Sequence, residues 1–285
     1  MKLHLECVPC YVRQALDAVR MITDRKEIQE KILQESLILA SDFSTEETGL
    51  LLQAKIQKMV RKAAGGNDPY KRVKQRFNNM CLEMVHDIKR TVAGSDDPFE
   101  TSLRIALAGN IIDFGPKAVL NRSIIKEAIE RSLTQRLSKE KILSFKQNIA
   151  RASKILYIGD NAGEIVFDRI FIEGLPREKI TYVVRGGPAL NDVTLEDARM
   201  VKMTDTVRVI TTGIDLPAAV LPLCSSSFIR EYNDSDLIIS KGQGNYEALS
   251  DEIKNIFFLL KIKCPVIAES LNRGYEVGDL VVDRQ

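Results

Sequence analysis

Histidine is scarce: His4 and His86 are the two in 285 residues, so histidine-based acid–base catalysis has little material to work with. No Ser-His-Asp arrangement is visible, and Cys7 has no histidine partner of catalytic sense, which argues against covalent acyl chemistry. An excess of one charge is also missing. Lysine and arginine total 41 against 39 acidic residues, and a net charge of +2 creates no field that would draw a nucleic acid polymer or a membrane. No run of about 18 apolar residues occurs, and the opening Met1-Lys2-Leu3-His4-Leu5-Glu6-Cys7 lacks the apolar core of a signal peptide, so a cytoplasmic protein is expected. Five cysteines, an odd count in a chain of this size, favour reduced thiols or a metal site over a disulfide scaffold. Internal repeats and low-complexity tracts are absent.

The chain is organised around Lys154-Ile155-Leu156-Tyr157-Ile158-Gly159-Asp160-Asn161-Ala162-Gly163-Glu164. Its short apolar run reads as a buried strand that stops at Gly159, and an amphipathic helix follows. In an open α/β sheet, ligands bind at the carboxyl ends of strands, which puts Asp160, Asn161 and Glu164 at a site. A dinucleotide-binding turn would carry several glycines here; this one offers hard oxygen ligands suited to Mg²⁺, Mn²⁺ or a similar cation.

Before this stretch the pattern is helical. The first segment holds Cys7-Val8-Pro9-Cys10, with Pro9 suited to a first helical turn. Three readings of the pair stand open: buried or incidental thiols, a zinc site with His4 or Cys81, and a redox pair. Helical spacing continues from Lys26 to Ala64 and from Tyr70 to Val92, where Val73, Phe77, Met80, Cys81 and Met84 make a core stripe. A further helix from Phe99 stops at Gly115-Pro116, and Asn110 and Asp113 share one of its faces, either as a cap or as a second wall of the site. Asp113-Phe114-Gly115 also matches the kinase metal-binding tripeptide, but no other kinase motif accompanies it.

After Arg151 short β-branched runs alternate with helical segments: Ile155 to Ile158, Ile180 to Val184, Val207 to Thr211, Leu237 to Ser240 and Val266 to Ala268. This predicts a parallel sheet of about five strands with helices on both faces, and Leu280 to Val282 adds an edge. The expected division is a helical N-terminal subdomain over 1–95 and an α/β catalytic domain over 96–285. Three glycine-bearing loops then fall at one sheet edge, after the first, second and fourth runs. Taken singly, each could be a loop with a helix cap, Asp160 included. Together their carboxylates and amides can hold a divalent ion, while Arg185 and Lys241 can neutralise phosphate oxygens, a set that fits metal-assisted phosphoryl chemistry.

Four segments carry a family resemblance: Glu6 to Gln14 with the cysteine pair, Gly109-Asn110-Ile111-Ile112-Asp113, Gly159-Asp160-Asn161-Ala162-Gly163-Glu164, and Lys241-Gly242-Gln243-Gly244-Asn245-Tyr246-Glu247. In this order they resemble the damage-control phosphatases, and the cysteine pair resembles the mark of the largely prokaryotic subfamily. The resemblance implies a Rossmann-like, three-layer α/β fold and metal-dependent hydrolysis of the phosphate monoesters of small molecules, with Mn²⁺, Ni²⁺ or Co²⁺ and with Mg²⁺ as a further candidate. It carries the metal ligands over to Asp160, Asn161 and an aspartate after the second strand, here Asp192, in a loop that also offers Asn191 and is followed by Asp197. Implied substrates are damaged or unwanted phosphometabolites, such as oxidised purine nucleotides or their precursors. The resulting expectation gives Asp160, Glu164 and Lys241 catalytic roles, and Lys241, Arg185, Asn110 and Asp113 substrate-binding roles. Water activated by the metal is the expected nucleophile, and an aspartyl-phosphate the alternative. Two readings from other classes compete: a non-catalytic nucleotide- or metabolite-binding Rossmann-like protein, and an interaction module with a zinc-stapled docking surface.

Overall fold

The computed structural model of the chain describes residues 1–111 and 121–284; Asp113 and the Gly115-Pro116 stop lie outside the described residues. Three helices come first, α1 (Cys7–Ile22), α2 (Lys26–Ser41) and α3 (Gly49–Ala63), and they enclose an apolar cluster of their own that includes Tyr11, Ala15, Ile32, Ile56 and Val60. Next come α4 (Lys71–Ala93), α5 (Pro98–Ala108), a 3-10 turn at Gly109–Ile111, α6 (Arg122–Thr134) and α7 (Lys139–Arg151). Polar caps fix the starts of the last three. Asp97 accepts the amides of Phe99 and Glu100, Asn121 that of Ile124, and Ser138 that of Lys141, each satisfying donors that a helix start leaves open.

The remainder alternates: β1 (Ile155–Ile158), α8 (Glu164–Glu173), β2 (Ile180–Val184), α9 (Leu195–Met200), β3 (Arg208–Thr211), α10 (Ser226–Asp234), β4 (Leu237–Lys241), α11 (Gln243–Leu249), β5 (Ile256–Lys261), α12 (Pro265–Leu271) and β6 (Leu280–Arg284). The sheet order is β3-β2-β1-β4-β5-β6, parallel throughout except for β6, which runs antiparallel to β5. Side chains of β1 alternate between layers. Ile155 and Tyr157 join one core with Phe77, Leu103, Phe145 and Phe171 from α4, α5, α7 and α8. Leu156 and Ile158 join the opposite core with Phe228, Tyr246 and Ile267 from α10, α11 and α12. The fold is therefore α/β with three layers, as expected.

One expected strand is corrected. Val266 to Ala268 lies inside α12, and the fifth parallel strand is Ile256–Lys261. Pro265 at the first helical position is the local reason: its fixed φ and missing amide suit a helix start, and strand pairing would forfeit a ladder bond there. Among the described residues no helix is long and apolar enough to cross a membrane.

Candidate functional site

The sheet's neighbours part on either side of β1, with β2 to one side and β4 to the other, and this is the switch point where open α/β sheets form a crevice. At that point Gly159-Asp160-Asn161-Ala162-Gly163 turns β1 into α8. The turn is sewn to the loop after β2. The amide of Val193 donates to the Asp160 carbonyl (2.8 Å), that of Ala162 to the Asn191 carbonyl (2.9 Å), and Asn161 and Asp192 form an isolated antiparallel bridge. It is held from α4 as well: the amide of Gly163 donates to Asn78 Oδ1 (2.6 Å), and Asn78 Nδ2 donates to Asp197 Oδ1 (2.9 Å). Gly163 has φ +75°, and a Cβ there would lie 1.9 Å from the Phe77 ring, so no other residue fits.

Side chains at the turn form one polar network. Asn110 and Asn161 both donate to Asp160 Oδ2, at 2.8 and 2.6 Å, and both donate to Glu164 Oε2, at 3.3 and 3.0 Å. Asn191 Nδ2 donates to Asn161 Oδ1 (2.6 Å), and the amide of Lys261 to Asn110 Oδ1 (3.1 Å). Arg185 Nε donates to Asp192 Oδ2 (2.6 Å), its Nη2 donates to Asn245 Oδ1 (3.2 Å), and that Nη2 lies 4.0 Å from Asp160 Oδ1. Among the described residues, Asp160 Oδ1 and Asp192 Oδ1 accept no hydrogen bond.

A cavity of about 1250 Å³ opens above this edge, walled on one side by Asp160, Asn161, Asn191, Asp192, Gln243 and Lys263, and on the other by Cys7, Cys10, Tyr11 and Gln14 of α1. Asn110, Glu164, Arg185 and Lys241, expected at the site, lie behind its wall and not on it. Lys241 is wholly buried beneath the turn. Its ammonium lies 2.7 Å from Glu164 Oε1, donates to Asp168 Oδ1, and donates to the Ala106 carbonyl at 2.9 Å. The Tyr157 and Tyr182 hydroxyls, side by side on β1 and β2, donate to the two oxygens of Asp168 at 2.7 and 2.9 Å. Burial works against the Lys241 charge, but Asp168 and Glu164 outweigh it and hold the group protonated.

Among the described residues, no group of three or more His, Cys, Asp or Glu side chains is placed to hold a metal ion. A metal set at the turn would have to combine two carboxylates with one amide, from Asp160, Asp192 and Asn161. Their charge balance fits a divalent cation. The Asp160 carboxyl is pushed up to about 8 by burial and then by the negative charge of Glu164 and Asp192, against the opposing pull of Arg185 and Lys263. Burial likewise raises Asp192, with Arg185 pulling the other way. Burial and neighbouring carboxylates thus oppose charge at the cavity floor, and among the described residues one oxygen of each aspartate has no hydrogen-bond donor.

Sequence reasoning missed Asn78, Asp168, Asn245 and Lys263. Asn78 interrupts the apolar stripe of α4, and Asp168 with Arg169 an otherwise apolar stretch of α8; a polar group on an apolar face is a signal that a partner waits in the fold. Lys263 follows β5, and its place on the cavity wall becomes readable only once that strand is assigned correctly.

Comparisons with known proteins find relatives along the whole chain. A damage-control phosphatase ARMT1-like domain matches residues 3–277. An uncharacterised protein of Methanocaldococcus jannaschii is 36% identical over 295 aligned positions, covering 99% of this chain and 95% of its own. A damage-control phosphatase of Archaeoglobus fulgidus is 32% identical, covering 99% and 98%, and one of Pyrococcus horikoshii is 32% identical, covering 95% and 94%. The crystal structure of a DUF89 family protein from Pyrococcus horikoshii superposes with a TM-score of 0.89 at 31% identity, over 100% of this chain and 99% of that one. On a match that spans nearly its whole length, the chain belongs to the damage-control phosphatase ARMT1-like family.

Proposed function

We propose that this protein is a metal-dependent phosphatase that hydrolyses phosphate monoesters of small phosphometabolites. The observation that carries the reading is the convergence of Asp160, Asn161 and Asp192 on the floor of a large cavity, where burial and neighbouring carboxylates push the Asp160 carboxyl up to about 8. Relatives named damage-control phosphatases support the reaction class. Asp160, Asp192 and Asn161 would hold Mn²⁺ or Ni²⁺, with Co²⁺ or Mg²⁺ as alternatives, through hard oxygen donors. Once bound, the metal supplies Lewis acidity, polarising the ester phosphate and lowering the pKa of a water.

The chain's own residues do the rest. Asn110 and Asn161 hold the Asp160 carboxylate by one oxygen and so aim the other at the cavity. Arg185 does the same for Asp192. Lys263 takes the phosphate-binding role expected of Lys241: it lines the cavity, and its charge acts on Asp160. The Lys263 amide donates to Gln243 Oε1 (3.1 Å), which ties this stretch of backbone to α11.

The experiment is phosphate release from a generic aryl phosphate after chelation and readdition of single divalent metals, comparing wild type with Asp160→Asn. Activity restored by Mn²⁺, Ni²⁺ or Co²⁺ in wild type alone is expected. Full turnover in Asp160→Asn would remove this residue from the site. If no metal supports release, metal-dependent binding of sugar and nucleotide phosphates without turnover would instead identify a binding protein.

A further inference from the structure

Three of the five thiols, Cys7, Cys10 and Cys264, line the same cavity as Asp160, a use of cysteine that the phosphatase reading does not require. Cys7 is half-buried and Cys10 exposed, and the two stand three residues apart at the start of α1. Residues at that spacing share one helix face, with Cβ atoms about 5–6 Å apart. A disulfide needs about 3.5–4.5 Å. The first turn holds few four-back helical bonds that closing the gap would break: the amides of Cys7 and Val8 donate three residues back, to His4 (3.0 Å) and Leu5 (3.2 Å), and Pro9 has no amide. Cys264 is at the head of α12, close enough for its charge to act on both thiols, and there Gln243 Nε2 donates to its sulfur at 3.5 Å. A thiolate metal cage is not supported, because no three ligating side chains converge among the described residues.

We propose that Cys7 and Cys10 form a dithiol modification site that a hydroperoxide oxidises to an intramolecular disulfide in the cavity wall. Cys10 is the attacking group, being the more exposed and the one whose sulfur accepts a hydrogen bond from Gln14 Nε2 (3.5 Å). Its thiolate attacks a peroxide oxygen: the S–O bond forms, the O–O bond breaks, and the released hydroxide or alkoxide takes up the proton lost by the thiol. Cys7 sulfur then attacks Cys10 sulfur, the S–S bond forms, and the hydroxyl leaves with the Cys7 proton as water. The two sulfurs together lose two electrons and the peroxide gains them. Burial pushes both thiols above their ordinary range, so thiolate is sparse at neutral pH and oxidation is faster in alkaline buffer.

The test is hydrogen peroxide treatment of the full chain in alkaline buffer, followed by alkylation and peptide mapping. One peptide carrying both Cys7 and Cys10, lighter by two hydrogens, refractory to alkylation and restored by dithiothreitol, is expected in wild type and in Cys264→Ser. Cys10→Ser should lose it entirely. Free alkylation of both thiols after treatment, terminal oxidation of Cys10 alone, or a cross-link to Cys264 would each overturn the proposal. None of these outcomes depends on phosphatase activity.

Discussion

Asp160 owes its orientation to a neighbour that has no side chain. Gly242 sits at φ +81°, and a Cβ at that position would lie 1.9 Å from Asp160 Oδ2, so the carboxylate rests against bare backbone. Gly242→Ala should therefore cost about 1–3 kcal/mol through its backbone alone. By displacing the carboxylate it should also weaken Mn²⁺ binding by roughly tenfold to a hundredfold, the range typical when support for a metal ligand is lost. Isothermal titration of the chelated protein with Mn²⁺ measures this, and an unchanged affinity would mean that Asp160 does not ligate. Lys263 makes the complementary case. Lys263→Ala should raise KM for an aryl phosphate by roughly tenfold, the size of one lost charged hydrogen bond, while Mn²⁺ affinity stays near that of wild type. A loss of Mn²⁺ binding instead would place the lysine's role at the metal set.

At the scale of elements, β4 and α8 meet through a buried ion cluster. Glu164 and Asp168 stand one turn apart on α8, and Lys241 at the end of β4 reaches both. Removing one member of a buried charged set leaves the others unpaired in a medium that penalises them, so Lys241→Met should cost about 3–5 kcal/mol. Its signature is a large fall in the denaturant midpoint. A normal midpoint with a raised KM would return the ammonium to the cavity.

The sequence made some of these elements legible and hid others. β1 and β2 have the bounds read from Ile155 to Ile158 and Ile180 to Val184, because short β-branched runs between turn residues admit few other structures. β5 escaped because Phe257, Phe258, Leu259 and Leu260 form a continuous apolar run without alternation, which periodicity cannot separate from a buried helix. Asp160 and Asn161 were readable because topology carries the strand ends to one edge, whereas Asp192 was singled out from its loop by the family resemblance. The burial of Lys241 was not, since it depends on Asp168 and on the Ala106 carbonyl, partners 73 and 135 residues away in the chain.

On the scale of the whole molecule, the cavity is the space between α1 and the sheet edge, and α11 adds a titrating group to its lining. Glu247 is pushed up to about 7 by burial, against the opposing effects of Gln243, the N-terminal ammonium and Tyr11. A carboxyl with a raised folded-state pKa binds its proton more tightly folded than unfolded. Its contribution is full below the unfolded value near 4.5 and is lost as pH rises to about 7. Midpoints of chemical unfolding should therefore decline over that window, and Glu247→Gln should flatten part of the decline. Parallel profiles for the two proteins would show that Glu247 titrates normally.

The bond from the Gly163 amide to Asn78, with Phe77 filling the space beside it, ties the turn that bears Asp160 and Asn161 to a helix that comes before the first strand. The helical half is thus part of the template on which the turn after β1 is cast, and not an exchangeable cover. Grafting the α/β half onto a foreign helical segment should give a sheet that forms while the turn bearing Asp160 loses its shape, so modular recombination within this family has to carry α4 along with the strands it serves.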